Sequence, residues 1–341
     1  MLLVNCSGSP REIGTQHGQG AKEQISRCID FYASLFQSTS SLAWKDVLSL
    51  AEGFAAKIKA TWPAYYEEME GIAEGSGHSI LDIVALNVRT EIAFGCFSDG
   101  CTSLAWQTDN HSFLAQNWDW QPAQKPNLII LSITQPPKPA IQIVTEAGII
   151  GKIGLNSSGV GVCMNAIRAK GVNETRLPVH LALRLALDSS SATEARDALR
   201  NHGLASSAHI LIADAKDASG CEFTSTTTAV IPVDAHGRVA HSNHLLLPHP
   251  GVVDTVWLTD SPFRVERALQ LSEEMVEGKT GGATWEGVAG IFRNRVNAPA
   301  AICRTGEIET LFNIVMELKE RRAVVRLGRP DCVEEVVELR V

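Results

Sequence analysis

No stretch of this 341-residue chain approaches the ~18 consecutive apolar residues that a membrane span requires. The opening Met1-Leu2-Leu3-Val4-Asn5-Cys6 has no basic leader, and its apolar run is too short for a secretion signal. The ending Glu338-Leu339-Arg340-Val341 is not a Ser-Lys-Leu peroxisomal address. A cytoplasmic location, away from membranes, is the expectation. Basic excess is also missing. Thirty Lys and Arg stand against 38 Asp and Glu, giving a net charge of −8, which argues against a nucleic-acid partner. None of the eight cysteines (Cys6, Cys28, Cys96, Cys101, Cys163, Cys221, Cys303, Cys332) forms a C-x-x-C pair, and none of the ten histidines belongs to an H-E-x-x-H motif. No zinc site, metal or other cofactor is therefore expected. With no secretion signal, the irregular cysteine spacing does not read as a disulfide framework. His241, His244 and His249 read as structural or surface histidines. Repeats, low-complexity tracts and extended linkers are absent too. One globular unit is the simplest account, although the length alone suits two domains.

What the chain does have is a change of pattern. Residues 10–95 read as helical, with Ser9 as the first cap and Pro10 in the first turn. Ile25, Cys28, Ile29, Tyr32, Leu35 and Phe36 form one apolar stripe, and Trp44, Val47, Leu48, Leu50, Ala51, Phe54 and Ile58 form another at mostly three and four spacing. Gly14, Gly18 and Gly20 have the look of a phosphate loop, but no strand is expected before them, so a small-residue helix contact is the better reading. After Gly100 the signal turns to strands. Ser103–Trp106 and Phe113–Asp119 form a hairpin around Thr108–His111. Further strands are predicted at 128–133, 140–145, 159–165, 209–214, 221–225, 229–233 and 238–243, with a last pair at 310–316 and 322–326. Helices are predicted at 178–188, 192–202, 262–274 and 284–292. The fold class is α+β, two sheets face to face with helices outside.

At the junction lies Gly100-Cys101. A thiol there can attack the preceding carbonyl, shift the acyl group from nitrogen to sulfur and let water release it. The new chain start then carries a thiol nucleophile and an α-amine whose ordinary pKa, about 7.7–8.0, suits a base near neutral pH. A buried packing cysteine is the plainer reading of the dipeptide alone. The hairpin adds to the case, because it brings Asp119, in Gln116-Asn117-Trp118-Asp119-Trp120, back beside the start of the first strand, within reach of that amine. Asn165 and Asn243 each end an apolar strand and carry an NH₂ suited to a developing oxyanion. Turn chemistry explains each of them equally well. Arg304 offers positive charge to an anionic substrate or to the thiolate, or is simply solvated.

Phe97-Ser98-Asp99-Gly100-Cys101-Thr102, Gln116–Trp120 and Gly154-Leu155-Asn156-Ser157-Ser158-Gly159-Val160-Gly161 follow one another in order, and Ser242-Asn243-His244 and Ile302-Cys303-Arg304 come after them. Together they resemble the isopenicillin-N acyltransferase family, the acyl-CoA:6-aminopenicillanate acyltransferase group of autoproteolytic N-terminal-nucleophile hydrolases. The opening Ser7–Gly18 is similar to that family's N-terminus. The resemblance implies a four-layer αββα sandwich and cleavage into residues 1–100, a helical α chain, and 101–341, a β chain that stays associated with it. It implies Cys101 as nucleophile, its α-amine as base, Asp119 as orienter of that amine and Asn243 as an oxyanion donor. Asn165 matches an oxyanion position of the related bile-salt and penicillin hydrolases, and Arg304 an active-site arginine. The partners implied are an acyl-CoA or N-acyl amide donor and an amine acceptor similar to 6-aminopenicillanate. Two other readings stay open: an N-acyl amide or peptide hydrolase with water as acceptor, and a non-catalytic single-chain protein in which Cys101 packs.

Overall fold

Ser9 separates the first strand from the first helix. Its hydroxyl accepts from Glu12 N, the Glu12 carboxylate accepts from Ser9 N, and Pro10 fills the first helical position. This reciprocal cap satisfies N–H groups that a helix start leaves open. The structure, a computed structural model, describes residues 1–93, 100–278 and 283–341. Cys96, and Phe97, Ser98 and Asp99 of the junction motif, lie outside the described residues.

The helical opening comprises α1 (Pro10–Gly20), α2 (Lys22–Ser40), α3 (Trp44–Thr61), α4 (Pro63–Ser76), α5 (Ile80–Asn87) and α6 (Arg89–Ile92). The predicted stripe on α2 is buried, and on α3 Val47, Ala51, Phe54 and Ile58 are buried while Leu50 is exposed. One expectation fails here. A strand does precede the glycines: β1 (Leu2–Ser7), paired in parallel with β4 (Leu128–Thr134). Leu2 and Leu3 are both exposed and only Val4 and Cys6 turn inward, so the apolar alternation is too short to mark a strand. Gly14 and Gly18 nonetheless serve a helix contact, while Gly20 packs on Val4 of β1. A Cβ on Gly14 would stand 1.9 Å from the Glu68 carbonyl oxygen, and one on Gly71 would stand 2.2 Å from that of Arg11. The backbones of α1 and α4 touch where side chains would hold them apart.

Two sheets follow. The larger runs β1-β4-β5-β6-β7-β8-β9-β10, with β5 (Ile141–Glu146), β6 (Ile153–Asn156), β7 (Gly161–Ala166), β8 (Ala208–Ala213), β9 (Ala218–Phe223) and β10 (Thr228–Pro232). The smaller runs β11-β2-β3-β12-β13-β14, with β2 (Gly100–Gln107), β3 (Ser112–Trp120), β11 (Arg238–His241), β12 (Glu309–Glu317), β13 (Arg322–Arg329) and β14 (Cys332–Arg340). Strands β2 and β3 face β7, while α7 (Val179–Leu187) and α8 (Ala192–His202) pack on the larger sheet and α9 (Ser261–Glu277) and α10 (Trp285–Phe292) on the smaller. The expected layering of helix, sheet, sheet and helix is thus present. The predicted final strand pair is in fact three strands. β14 is an edge whose Val333, Val336 and Glu residues are mostly exposed, so no apolar face marks it. The short β6 was also unmarked.

Alternation along β2 decides where the cysteine goes. Leu104 and Trp106 enter a small core with Phe113, Val288 and Phe292 beneath α9 and α10. Cys101 and Ala105 enter the main core between the sheets. The helical opening is tied to the larger sheet by one buried carboxylate. Glu146 accepts from Tyr32 and Lys152, from Arg89 Nη2 at 2.7 Å and from Gln124 Nε2 at 2.8 Å. Burial opposes its ionisation, but Arg89 and Lys152 outweigh this and hold the carboxyl well below the ordinary range.

Candidate active site

The β2–β3 ladder pairs Gly100 with Asp119 and Cys101 with Trp118. The hairpin therefore does what the sequence suggested and lays Asp119 beside the Gly100-Cys101 junction. Cys101 is fully buried and gripped at both ends of its backbone. Its N–H donates to Asn243 Oδ1 at 3.0 Å, and its carbonyl accepts from Ser242 Oγ at 2.9 Å and Arg264 Nη1 at 2.5 Å.

Asn243 follows β11 and takes a defined orientation. Cys101 N–H and Arg264 Nη2, the latter at 2.8 Å, are obligate donors, so the amide oxygen faces both. Its NH₂ donates to the Ala166 carbonyl at 3.0 Å. Asn243 thus presents its oxygen to the Cys101 nitrogen.

Asp119 accepts from Thr310 Oγ1 at 2.7 Å, and its Oδ2 lies 3.6 Å from Arg304 Nε. That Oδ2 has no hydrogen-bond partner among the described residues. Burial pushes the carboxyl up to about 6, against the opposing pull of Arg304, Arg264 and the Thr310 hydroxyl. Arg304 is not the free or solvated cation that the sequence allowed. It is buried and pairs with Asp260, which also accepts from Arg264 Nε at 2.6 Å. The charges alternate along a continuous path, Asp119, Arg304, Asp260, Arg264, ending at Asn243 and Cys101.

Asn165 lies one layer deeper between the sheets. Its Oδ1 accepts from Ser103 Oγ at 2.6 Å and meets His209 Nδ1 at 2.9 Å, while its Nδ2 has no partner among the described residues. Ser103 shares a strand face with Cys101, two residues away. Gln116 Oε1 accepts from Met164 N at 2.9 Å and its Nε2 donates to the Met164 carbonyl at 2.5 Å, which fastens β3 to the strand carrying Asn165. His241, His244 and His249 are held within the fold, His244 Nδ1 lying 2.7 Å from Ser261 Oγ. His241 pairs with Glu222 at 2.8 Å and His249 with the same carboxylate at 3.1 Å. Among the described residues no group of three His, Cys, Asp or Glu is placed to hold a metal ion.

The sequence reading missed Arg264 and Asp260. A signal existed: Arg264 sits beside Val265 and four residues before Ala268 on the buried face of α9, with an aspartate four residues earlier. A lone arginine on an apolar helix face needs a buried partner.

Comparison with known proteins completes the picture in two steps. The fold is similar to that of a mutant of the conjugated bile acid hydrolase from Clostridium perfringens, with a TM-score of 0.51 and 15% identity over 71% of this chain and 97% of that one. At that identity the likeness concerns the fold. Residues 106–332 match the family described as acyl-coenzyme A:6-aminopenicillanic acid acyl-transferase. The chain is also 41% identical to the 40 kDa form of the acyl-coenzyme A:6-aminopenicillanic-acid-acyltransferase of Emericella nidulans, over 98% of this chain and 95% of that protein. The protein is an enzyme, and it belongs to the acyl-coenzyme A:6-aminopenicillanic acid acyltransferase family.

Proposed function

We propose that the chain cuts its own Gly100-Cys101 bond and then acts as an N-terminal-cysteine acyltransferase of the N-terminal-nucleophile type. The observation that carries this is the grip on Cys101. Its nitrogen lies on the Asn243 oxygen, its carbonyl lies under Arg264 and Ser242, and Asp119 lies opposite Gly100. A packing cysteine needs none of these.

In the first reaction Cys101 Sγ gives its proton up and attacks the Gly100 carbonyl carbon. The C–S bond forms, the nitrogen of Cys101 takes a proton, the C–N bond breaks, and water hydrolyses the resulting thioester. In the second reaction the α-amine takes the Sγ proton and the thiolate attacks the acyl donor. The carbonyl electron pair moves onto oxygen, where an amide NH₂ is worth about 2.7–4 kcal/mol. Collapse expels coenzyme A or an amine, which leaves with the proton held by the α-amine. An amine acceptor then attacks the acyl-enzyme and returns its proton to the α-amine as Sγ leaves. The Asn243 oxygen and the Asp119 carboxylate are the acceptors that orient the amine, and the acyl-enzyme predicts ping-pong kinetics. The donor proposed is an acyl-coenzyme A or N-acyl amide, and the acceptor an amine like 6-aminopenicillanate. Water as acceptor would make the same site a hydrolase.

Denaturing mass spectrometry tests the reading. Fragments 1–100 and 101–341 are expected from the native chain, and one intact chain with no turnover from Cys101→Ala. An uncleaved native chain, or an active Cys101→Ala, overturns it.

A further inference from the structure

His209 is fully buried beside the site and no step above uses it. It stands on β8 directly opposite Asn165 of β7 on one side and Glu222 of β9 on the other. Its ring stacks on His241 of the opposing sheet, centroids 3.6 Å apart and planes within 8°. His241 is in turn opposite Ser103 on β2. Asn165, Ser103, His209 and His241 therefore form one polar layer between the sheets, two residues along β2 from Cys101.

The proton on His209 can be placed. Its Nε2 has no partner among the described residues and packs on Gly220, where an added Cβ would stand 2.5 Å away. An N–H pointed there would be buried and unsatisfied, a cost of about 1–3 kcal/mol. The proton belongs on Nδ1, 2.9 Å from Asn165 Oδ1, where it is hydrogen-bonded. Ser103 Oγ donates to the same oxygen. Two donors on Oδ1 fix the amide, and its NH₂ is left as a buried donor with no partner among the described residues. With the opposite tautomer the amide would turn over and offer an oxygen in its place.

We propose that His209 is a positioning residue. By donating from Nδ1 to Asn165 Oδ1, it keeps the Asn165 NH₂ turned toward the oxyanion that forms on the acyl carbon at Cys101 Sγ. The proposal rests on the reading of Cys101 as nucleophile. Gly220 belongs to the device, since its missing side chain seats Nε2.

Two measurements test it. The first needs no activity: ¹⁵N chemical shifts of the imidazoles should show His209 neutral with Nδ1 protonated and Nε2 bare. A proton on Nε2 overturns the proposal whatever the enzyme does. The second is steady-state turnover of an acyl-coenzyme A with 6-aminopenicillanic acid. His209→Asn keeps a donor near the Nδ1 position and should retain kcat within a few-fold. His209→Leu and Gly220→Ala should lower kcat about 10–100-fold with KM little changed, as loss of an oxyanion donor's alignment requires. If His209→Leu and Gly220→Ala match the native kcat, or if His209→Asn falls as far as His209→Leu, the positioning role is wrong. A native chain that neither cleaves nor turns over overturns the reading of Cys101 instead, and leaves the imidazole measurement to decide the tautomer.

Discussion

Gly100 and Asp119 face one another across the β2–β3 ladder, and the Cβ that Gly100 lacks would stand 3.1 Å from both Cβ and Oδ2 of Asp119. The absence of a side chain at the bond we propose to be cut leaves that carboxylate its place. Gly100→Ala should push Asp119 aside and slow the appearance of the 101–341 fragment. A time course by denaturing mass spectrometry reads this directly, and an unchanged rate would show that Asp119 does not need the space.

Asp119 also makes a prediction about stability. Its carboxyl is raised from 3.8 to about 6 by burial, so the native state holds the proton more tightly than the unfolded chain. The stabilisation is complete below about 3.8 and is lost as pH rises through about 6. At about 1.36 kcal/mol per pKa unit the loss is roughly 3 kcal/mol. Asp119→Asn cannot titrate and should lack this slope. Its denaturation midpoint, compared with the native chain, should therefore improve between pH 4 and pH 7.

Arg264 holds four groups at once, the Cys101 carbonyl, Thr102 Oγ1, Asn243 Oδ1 and Asp260 Oδ2. A lysine ammonium has no planar fork and cannot keep them all. Losing one charge-assisted hydrogen bond costs about 1.5–3 kcal/mol, which corresponds to roughly 10–100-fold in rate. Arg264→Lys is expected to slow self-cleavage by that factor while remaining folded by circular dichroism.

Glu146 neutralises two buried cations, Arg89 and Lys152. Glu146→Gln leaves both without their counter-charge. Breaking a buried pair from one side typically costs about 3–5 kcal/mol, which thermal or denaturant unfolding would show as a large loss of stability.

The hairpin that carries Cys101 and Asp119 was legible because its strands alternate and its turn is short, and so were the helical stripes and the capped start at Ser9. Strands β1 and β14 were not legible, because both are edge strands held largely by pairing: only Val4 and Cys6 of β1 turn inward, and the side chains of β14 are mostly exposed. Cys101, Asp119, Asn165, Asn243 and Arg304 could be named from motifs, and the fold sets Asp119, Asn243 and Arg304 around the junction and Asn165 beside Ser103, two residues along β2. What Asn243 presents to Cys101 depends on Arg264, more than twenty positions further along, and what Asn165 presents depends on His209. Such orientations are set by partners across strands and sheets, and no spacing along the chain encodes them.

The position of β1 has a mechanical result. Leu2–Ser7 lie hydrogen-bonded along the edge of the sheet of the opposite half of the chain, while Arg89 and Tyr32 are locked onto Glu146 there. Severing the backbone at residue 100 would change how the polymer is connected and almost nothing about how it is packed. The two pieces would part only when the whole structure unfolds.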